Sequence, residues 1–142
     1  MTRRGLLLAG ATIWLGRRAG SRPEEETREI WDLLTRAAAA LSQGNLTAFL
    51  EAFDRSMKGY QTLAANVAAL VGQYEVQSSI ELLRDEPAGA ARSLELDWFL
   101  QLEEQRDAGA VIRRRERVHC RLEKRGKEWK ITGIEPLAFF AP

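Results

Sequence analysis

From Ser93 to Ile131 large apolar residues recur at every second position, with charged residues between them, and a helix cannot satisfy that pattern. In Ser93–Glu104, Leu94, Leu96, Trp98, Leu100 and Leu102 share one parity, and Glu95, Asp97, Gln101 and Glu103 share the other. A period of two describes a strand with one buried and one solvated face. Phe99 is the large apolar residue on the solvated side. The next strand, Ala110–Lys124, sets Ile112, Val118, Cys120 and Leu122 against Val111, Arg113, Arg115, Arg117, His119, Arg121 and Glu123. Asp107 and Gly109 suit the turn between them. A third strand follows an expected Arg125-Gly126 turn, and Gly133 marks a bulge that hands the inward position to Ile134. Pro136 cannot donate to a ladder, so the chain leaves the sheet there, and Leu137, Phe139 and Phe140 fold back onto the body or a second subunit.

Four alternating arginines resemble a phosphate-binding stripe, but the neighbouring strand is acidic. Closing the hairpin with Arg106 opposite Ala110 predicts Glu103 facing Arg113, Gln101 facing Arg115, Asp97 facing His119 and Glu95 facing Arg121. Each such pair stabilises by about 0.2–1 kcal/mol, and together they oppose a one-residue slip that would push charges into the core. The same reasoning predicts Leu122 opposite Trp129 and Cys120 opposite Ile131. The outer face is therefore self-neutralised, and a nucleic-acid partner is not expected.

Ahead of the sheet the apolar period changes to that of helices. Pro23 and Glu24-Glu25-Glu26 open the first, with acids at its positive end. Ile30, Leu33, Leu34, Ala37 and Leu41 form its stripe, and Gly44 stops it. Asn45 caps a short second helix with Leu46, Phe49, Leu50 and Phe53 on one face. A third, about Met57 to Val71, carries Tyr60, Leu63, Ala64, Val67 and Leu70 and ends at Gly72. Tyr74–Arg84 is the first strand, with Tyr74, Val76, Ser78, Ile80 and Leu82 on one parity. Helices followed by strands give an α+β fold: three N-terminal helices packed on one face of a curved, four-stranded antiparallel sheet.

Residues 1–21 read as an export signal preceding a single domain over residues 22–142. Arg3-Arg4 precede a modest apolar run, Arg17-Arg18 lie near its end, and Ala19-Gly20-Ser21 suits cleavage. The start resembles a twin-arginine signal, which places the mature chain in the periplasm or outside the cell. The run is short for a membrane anchor, so no membrane association is expected once it is removed. Taking Arg3, Arg4, Arg17 and Arg18 from the 21 basic residues leaves 17 against 20 acidic ones, further evidence against a polyanion partner. One cysteine excludes an internal disulfide, and Cys120 lies on the buried parity.

Two stretches resemble the nuclear transport factor 2-like superfamily. One is Ile30–Asp54, where a long helix ends at Gly44-Asn45 and a short helix follows; the other is Glu128–Ile134, with Trp129-Lys130-Ile131 before a bulge. The resemblance spans most of residues 24–140 and implies a curved sheet wrapped against helices with a pocket at its open end. That superfamily includes isomerases, dehydratases and cyclases as well as non-catalytic binding domains, and dimers are common in it. The chain departs from it in placing a third helix before the first strand.

Acid–base chemistry in such a pocket needs an inward carboxylate or histidine and a donor for developing charge. His119 carries the outward parity, and reads as a surface partner of Asp97 rather than half of a dyad. Arg114 and Glu116 share the inward parity, so they form a buried bridge or line a water-filled cavity. Tyr60, Tyr74, Ser78 and Trp98 are the further candidate ligand-binding residues, against a plain packing role. No isomerase or dehydratase motif is matched residue for residue, and no metal-ligand spacing, nucleophile elbow or phosphate loop is present, so neither metal nor cofactor is expected. The leading expectation is non-catalytic binding of a small apolar ligand or a protein partner, including a homodimer through the outer sheet face. The alternative is an isomerase-, dehydratase- or cyclase-type acid–base enzyme with Glu116 as base and Arg114 or a tyrosine polarising a carbonyl.

Overall fold

The computed structural model describes residues 23–106 and 109–142; the expected export signal, residues 1–21, lies outside them. By its internal contacts the chain divides between Asp32 and Leu33. In the first unit, residues 23–32 are helical and mostly exposed, with Ile30 buried. The second unit, Leu33–Pro142, carries the fold.

Helix α1 (residues 23–42) ends as its glycine predicts. Gly44 has φ +67°, and the Asn45 and Gly44 amides donate back to Ala40 and Leu41 carbonyls at 2.9 and 3.0 Å. Helix α2 (Leu46–Leu50) is capped by Asn45, whose Oδ1 accepts the Ala48 amide at 3.0 Å. Helix α3 (Tyr60–Gln73) starts later and ends later than its spacing predicts. Gly59, at φ +85°, is its first cap, Gly72 is internal, and Tyr74 enters the sheet directly.

The sheet is a meander, β1 (Tyr74–Ala88), β2 (Ala91–Glu104), β3 (Val111–Arg125) and β4 (Glu128–Glu135), ordered β1-β2-β3-β4 and antiparallel throughout. Bulges at Leu83 in β1 and Thr132 in β4 mark its curvature. Its parity is as the sequence predicts along β2 and the second half of β3, whereas Ile112 and Glu116, expected inward, are exposed. Leu94, Leu96, Trp98, Leu100, Leu102, Val118, Cys120 and Leu122 are fully buried and Trp129 nearly so. Phe140 links this face to the helices, lying 5.1 Å from Trp98 and 6.0 Å from Phe49.

The register differs from expectation in both later hairpins, by two residues each. The Glu104 amide donates to the Ala110 carbonyl, so the loop spans residues 105–109, and Gln101 faces Arg113, Asp97 faces Arg117 and Glu95 faces His119. In the last hairpin the turn is Gly126-Lys127, not Arg125-Gly126; Gly126 takes φ +67° there. Leu122 then meets Ile131, Cys120 meets Ile134 and Lys124 faces Trp129. A shift of two preserves the faces, which explains why the burial pattern holds while the individual partners change.

After Glu135 the chain leaves the sheet at Pro136 and forms a short 3-10 helix, Leu137–Phe140, whose last two phenylalanines are buried. The free edge of β4 is partly covered by the α2–α3 loop: Phe53 forms a parallel bridge to Ile131, with Asp54 N–H donating to the Ile131 carbonyl at 2.9 Å and Ile131 N–H to the Ala52 carbonyl at 2.8 Å.

Candidate functional site

The six candidate residues do not converge on one cavity. Trp98 is fully buried and its Nε1–H donates to Ser78 Oγ at 2.8 Å, while the Ser78 amide donates to Ser42 Oγ at 2.9 Å. These two residues form a satisfied contact under Phe140, which meets the indole edge-on. The side chain of Phe140 thus occupies space that an inward ligand would need.

Arg114 and Glu116 neither bridge each other nor share an enclosed space. Arg114 Nη1 donates to the carbonyls of Phe139, at 3.1 Å, and Ala141, fastening the C-terminal segment to β3. Glu116 lies across from Trp98 in the register but is exposed. Both line an open depression of about 450 Å³ with Pro136, Phe139 and Pro142. The burial that sequence parity implies for Glu116 is therefore absent.

Tyr60 and Tyr74 mark the two ends of α3, about 20 Å apart at 1.5 Å per residue. Tyr74 lies between open depressions of about 440 and 480 Å³ that also share Gln105, whose Nε2 donates to the carbonyls of Val71 and Tyr74. Tyr60 lines a larger open depression of about 700 Å³ with Leu50, Phe53, Asp54, Arg55, Arg125 and Lys130. The sequence reading overlooked this cluster because its members come from three separate segments. The one local sign was Asp54-x-Ser56, an Asx-turn pattern.

Asp54 is the most strongly perturbed acid there. The Ser56 amide and hydroxyl donate to its Oδ1 at 3.0 and 2.8 Å and Arg125 Nε to its Oδ2 at 2.7 Å, which lowers its pKa to about 2. Glu123 is lowered mainly by the Thr132 hydroxyl, and also by Arg121 and Arg125. On the outer face Asp97 is lowered by a forked hydrogen bond from Arg115, whose own pKa is raised in return. His119 does not meet Asp97; its Nε2 lies 3.1 Å from Ser93 Oγ. Burial pushes the Cys120 thiol up to about 12, so it is not a nucleophile at neutral pH. Among the described residues no group of three His, Cys, Asp or Glu side chains is placed to hold a metal, and no helix is long and apolar enough to cross a membrane.

This arrangement, three helices against one face of a curved and unclosed four-stranded sheet, is the nuclear transport factor 2-like fold. Solved structures share it. A conserved protein from Planctomyces limnophilus superposes with a TM-score of 0.71 at 9% identity, covering 78% of this chain and 94% of that one. A scytalone dehydratase-like protein from Novosphingobium aromaticivorans gives 0.70 at 8% identity, covering 79% and 83%. An NTF2-like protein of unknown function from Shewanella oneidensis gives 0.58 at 16% identity, covering 77% and 96%. No protein-family model and no curated protein matches the sequence. At these identities the likeness is one of fold, and the structures sharing it include enzymes and proteins of unknown function alike.

Proposed function

We propose that this chain is an exported, non-catalytic binding domain that works through the outer face of its sheet, and that its protein partner is a second copy of itself. The observation that carries this is the division of charge across that face. Glu81, Glu95 and Asp97 stand on β1 and β2 and Arg113, Arg115 and Arg117 on β3, with Phe99 opposite Arg115. Arg115 already pairs with Asp97 and Arg84 lies 4.0 Å from Glu95, so the remaining charge is what a second copy can answer. A two-fold axis along the strands, between β2 and β3, lays the acidic half of one copy on the basic half of the other, so the complementarity is satisfied twice. Arg117 stands beside Asp97 without a hydrogen bond and remains available to a facing carboxylate.

Sedimentation velocity at micromolar concentration tests this. A dimer in low salt that weakens in high salt is expected, because exposed ion pairs are screened; a monomer in both overturns it. Export rests on the composition of residues 1–21, and N-terminal sequencing of the secreted or periplasmic protein would show a start near residue 22. Retention of Met1 would remove that part of the proposal. The acid–base alternative is less favoured, because Arg114 Nη1 is committed to two backbone carbonyls and Glu116 is exposed.

A further inference from the structure

We infer that the cavity between α2, the start of α3 and the β3–β4 turn is a binding site for a small aromatic carboxylate, separate from the sheet face. Its apolar part is Leu50 and Tyr60, both partly exposed, above Phe53, which is only 3% exposed. Phe53 is held by its bridge to Ile131, so this floor is built on the sheet rather than on a free loop. The depression is open to solvent, and its volume of about 700 Å³ is large enough to seat a small ligand.

Charge selects the ligand. Arg55, Arg125 and Lys130 surround the cavity, with Asp54 and Glu51 as its acids. Asp54 has both oxygens engaged, by Ser56 and by Arg125, so it neutralises Arg125 and has little left for a ligand. The Lys130 ammonium donates to the Glu51 carbonyl at 2.6 Å, a partner that carries no charge, and keeps two further N–H donors. Arg55 is exposed and makes no hydrogen bond or ion pair among the described residues. Two cations without a bonded carboxylate thus stand beside a floor of Leu50 and Tyr60, with Glu51 the one acid of the site whose carboxylate is unbonded among the described residues. An aryl carboxylate satisfies both halves: its ring lies on Leu50 and Tyr60, and its oxygens reach Arg55 and Lys130. A neutral aromatic leaves the cations unanswered, and an inorganic anion leaves the floor bare.

The test is a titration of the full chain with 2-naphthoate, followed by amide chemical shifts and calorimetry, with 2-naphthylmethanol and inorganic phosphate as comparison probes. Saturable naphthoate binding is expected, with the largest shifts at Phe53, Arg55 and Tyr60, and at least about tenfold weaker binding of the alcohol and of phosphate, as loss of a charge-assisted hydrogen bond implies. Arg55→Ala and Lys130→Met should each weaken naphthoate by about threefold to tenfold. Arg55 is exposed, so Arg55→Ala leaves the fold intact and keeps the test informative if Lys130→Met unsettles the loop. Equal affinity for the alcohol, shifts confined elsewhere, no change on Arg55→Ala, or no saturable binding at millimolar concentration would each overturn the assignment. The sedimentation result on the sheet face does not bear on it.

Discussion

Trp98 and Trp129 lie on the same face and are buried alike, yet they differ by one hydrogen bond. Trp98 donates to Ser78, while the Trp129 indole N–H is buried without a partner. Each should cost about 3–5 kcal/mol on replacement by alanine, as large buried aromatics do, whereas Arg115→Ala on the wet face should cost little. Phenylalanine separates the two tryptophans. Both substitutions remove the same ring, but Trp98→Phe also loses a hydrogen bond and Trp129→Phe removes an unsatisfied donor, so Trp98→Phe should be the costlier by about 1 kcal/mol in urea melts. Asp54 supplies the pH dependence. Its ordinary pKa of 3.8 falls to about 2 in the fold, so the ionised form is what folding favours. That contribution is complete above the unfolded value and is lost as pH falls through about 2. Urea midpoints between pH 5 and 2 should fall less steeply for Asp54→Ala than for the parent. Parity made the burial of both tryptophans legible in the sequence. It said nothing of Ser78 as a partner, because a hydrogen bond depends on which residues face each other across strands.

Among the elements, the hairpin turns were the least legible. Arg125-Gly126 and Gly126-Lys127 are both two-residue turns containing the same glycine, and they differ by two in register. The left-handed backbone, φ +67°, falls on Gly126 at the first central position, and a pairing of Arg125 with Glu128 follows. A side chain there costs roughly 1–2 kcal/mol, so Gly126→Ala should lower the melt midpoint while Lys127→Ala leaves it nearly unchanged. The C-terminal segment was legible as apolar but not as a plug. Phe140 fills the space between Phe49 and Trp98, and Gly59 sits at φ +85°, where any side chain is strained, its Cβ also pressing on Leu137 Cδ1 at 2.7 Å. Phe140→Ala should cost about 3–5 kcal/mol. Cys120 offers an independent readout on the same core: its thiol should resist a disulfide exchange reagent in the native protein and react at the rate of unfolding. Rapid labelling under native conditions would mean that β3 opens locally.

At the scale of the molecule, fold class followed from periodicity alone, whereas the candidate site did not. Parity assigns a residue to a face but not to a depth along it. Trp98 and Glu116 share a face and are direct neighbours, yet one is sealed beneath Phe140 and the other is exposed. The outer face escapes that limit, because on a solvated sheet every residue of the right parity is presented, and its charge pattern survives a two-residue shift in register. This permits a test of partner geometry. A face in which acid meets base twice should fail when either half is reversed. Glu95→Lys with Asp97→Lys makes the face basic, and Arg113→Glu with Arg117→Glu makes it acidic. Each double variant alone should sediment as a monomer in low salt through like-charge repulsion. Mixed in equal amounts, the two should recover a dimer, and that dimer should dissociate as salt is added. A dimer that forms from either variant alone would place the contact on another surface.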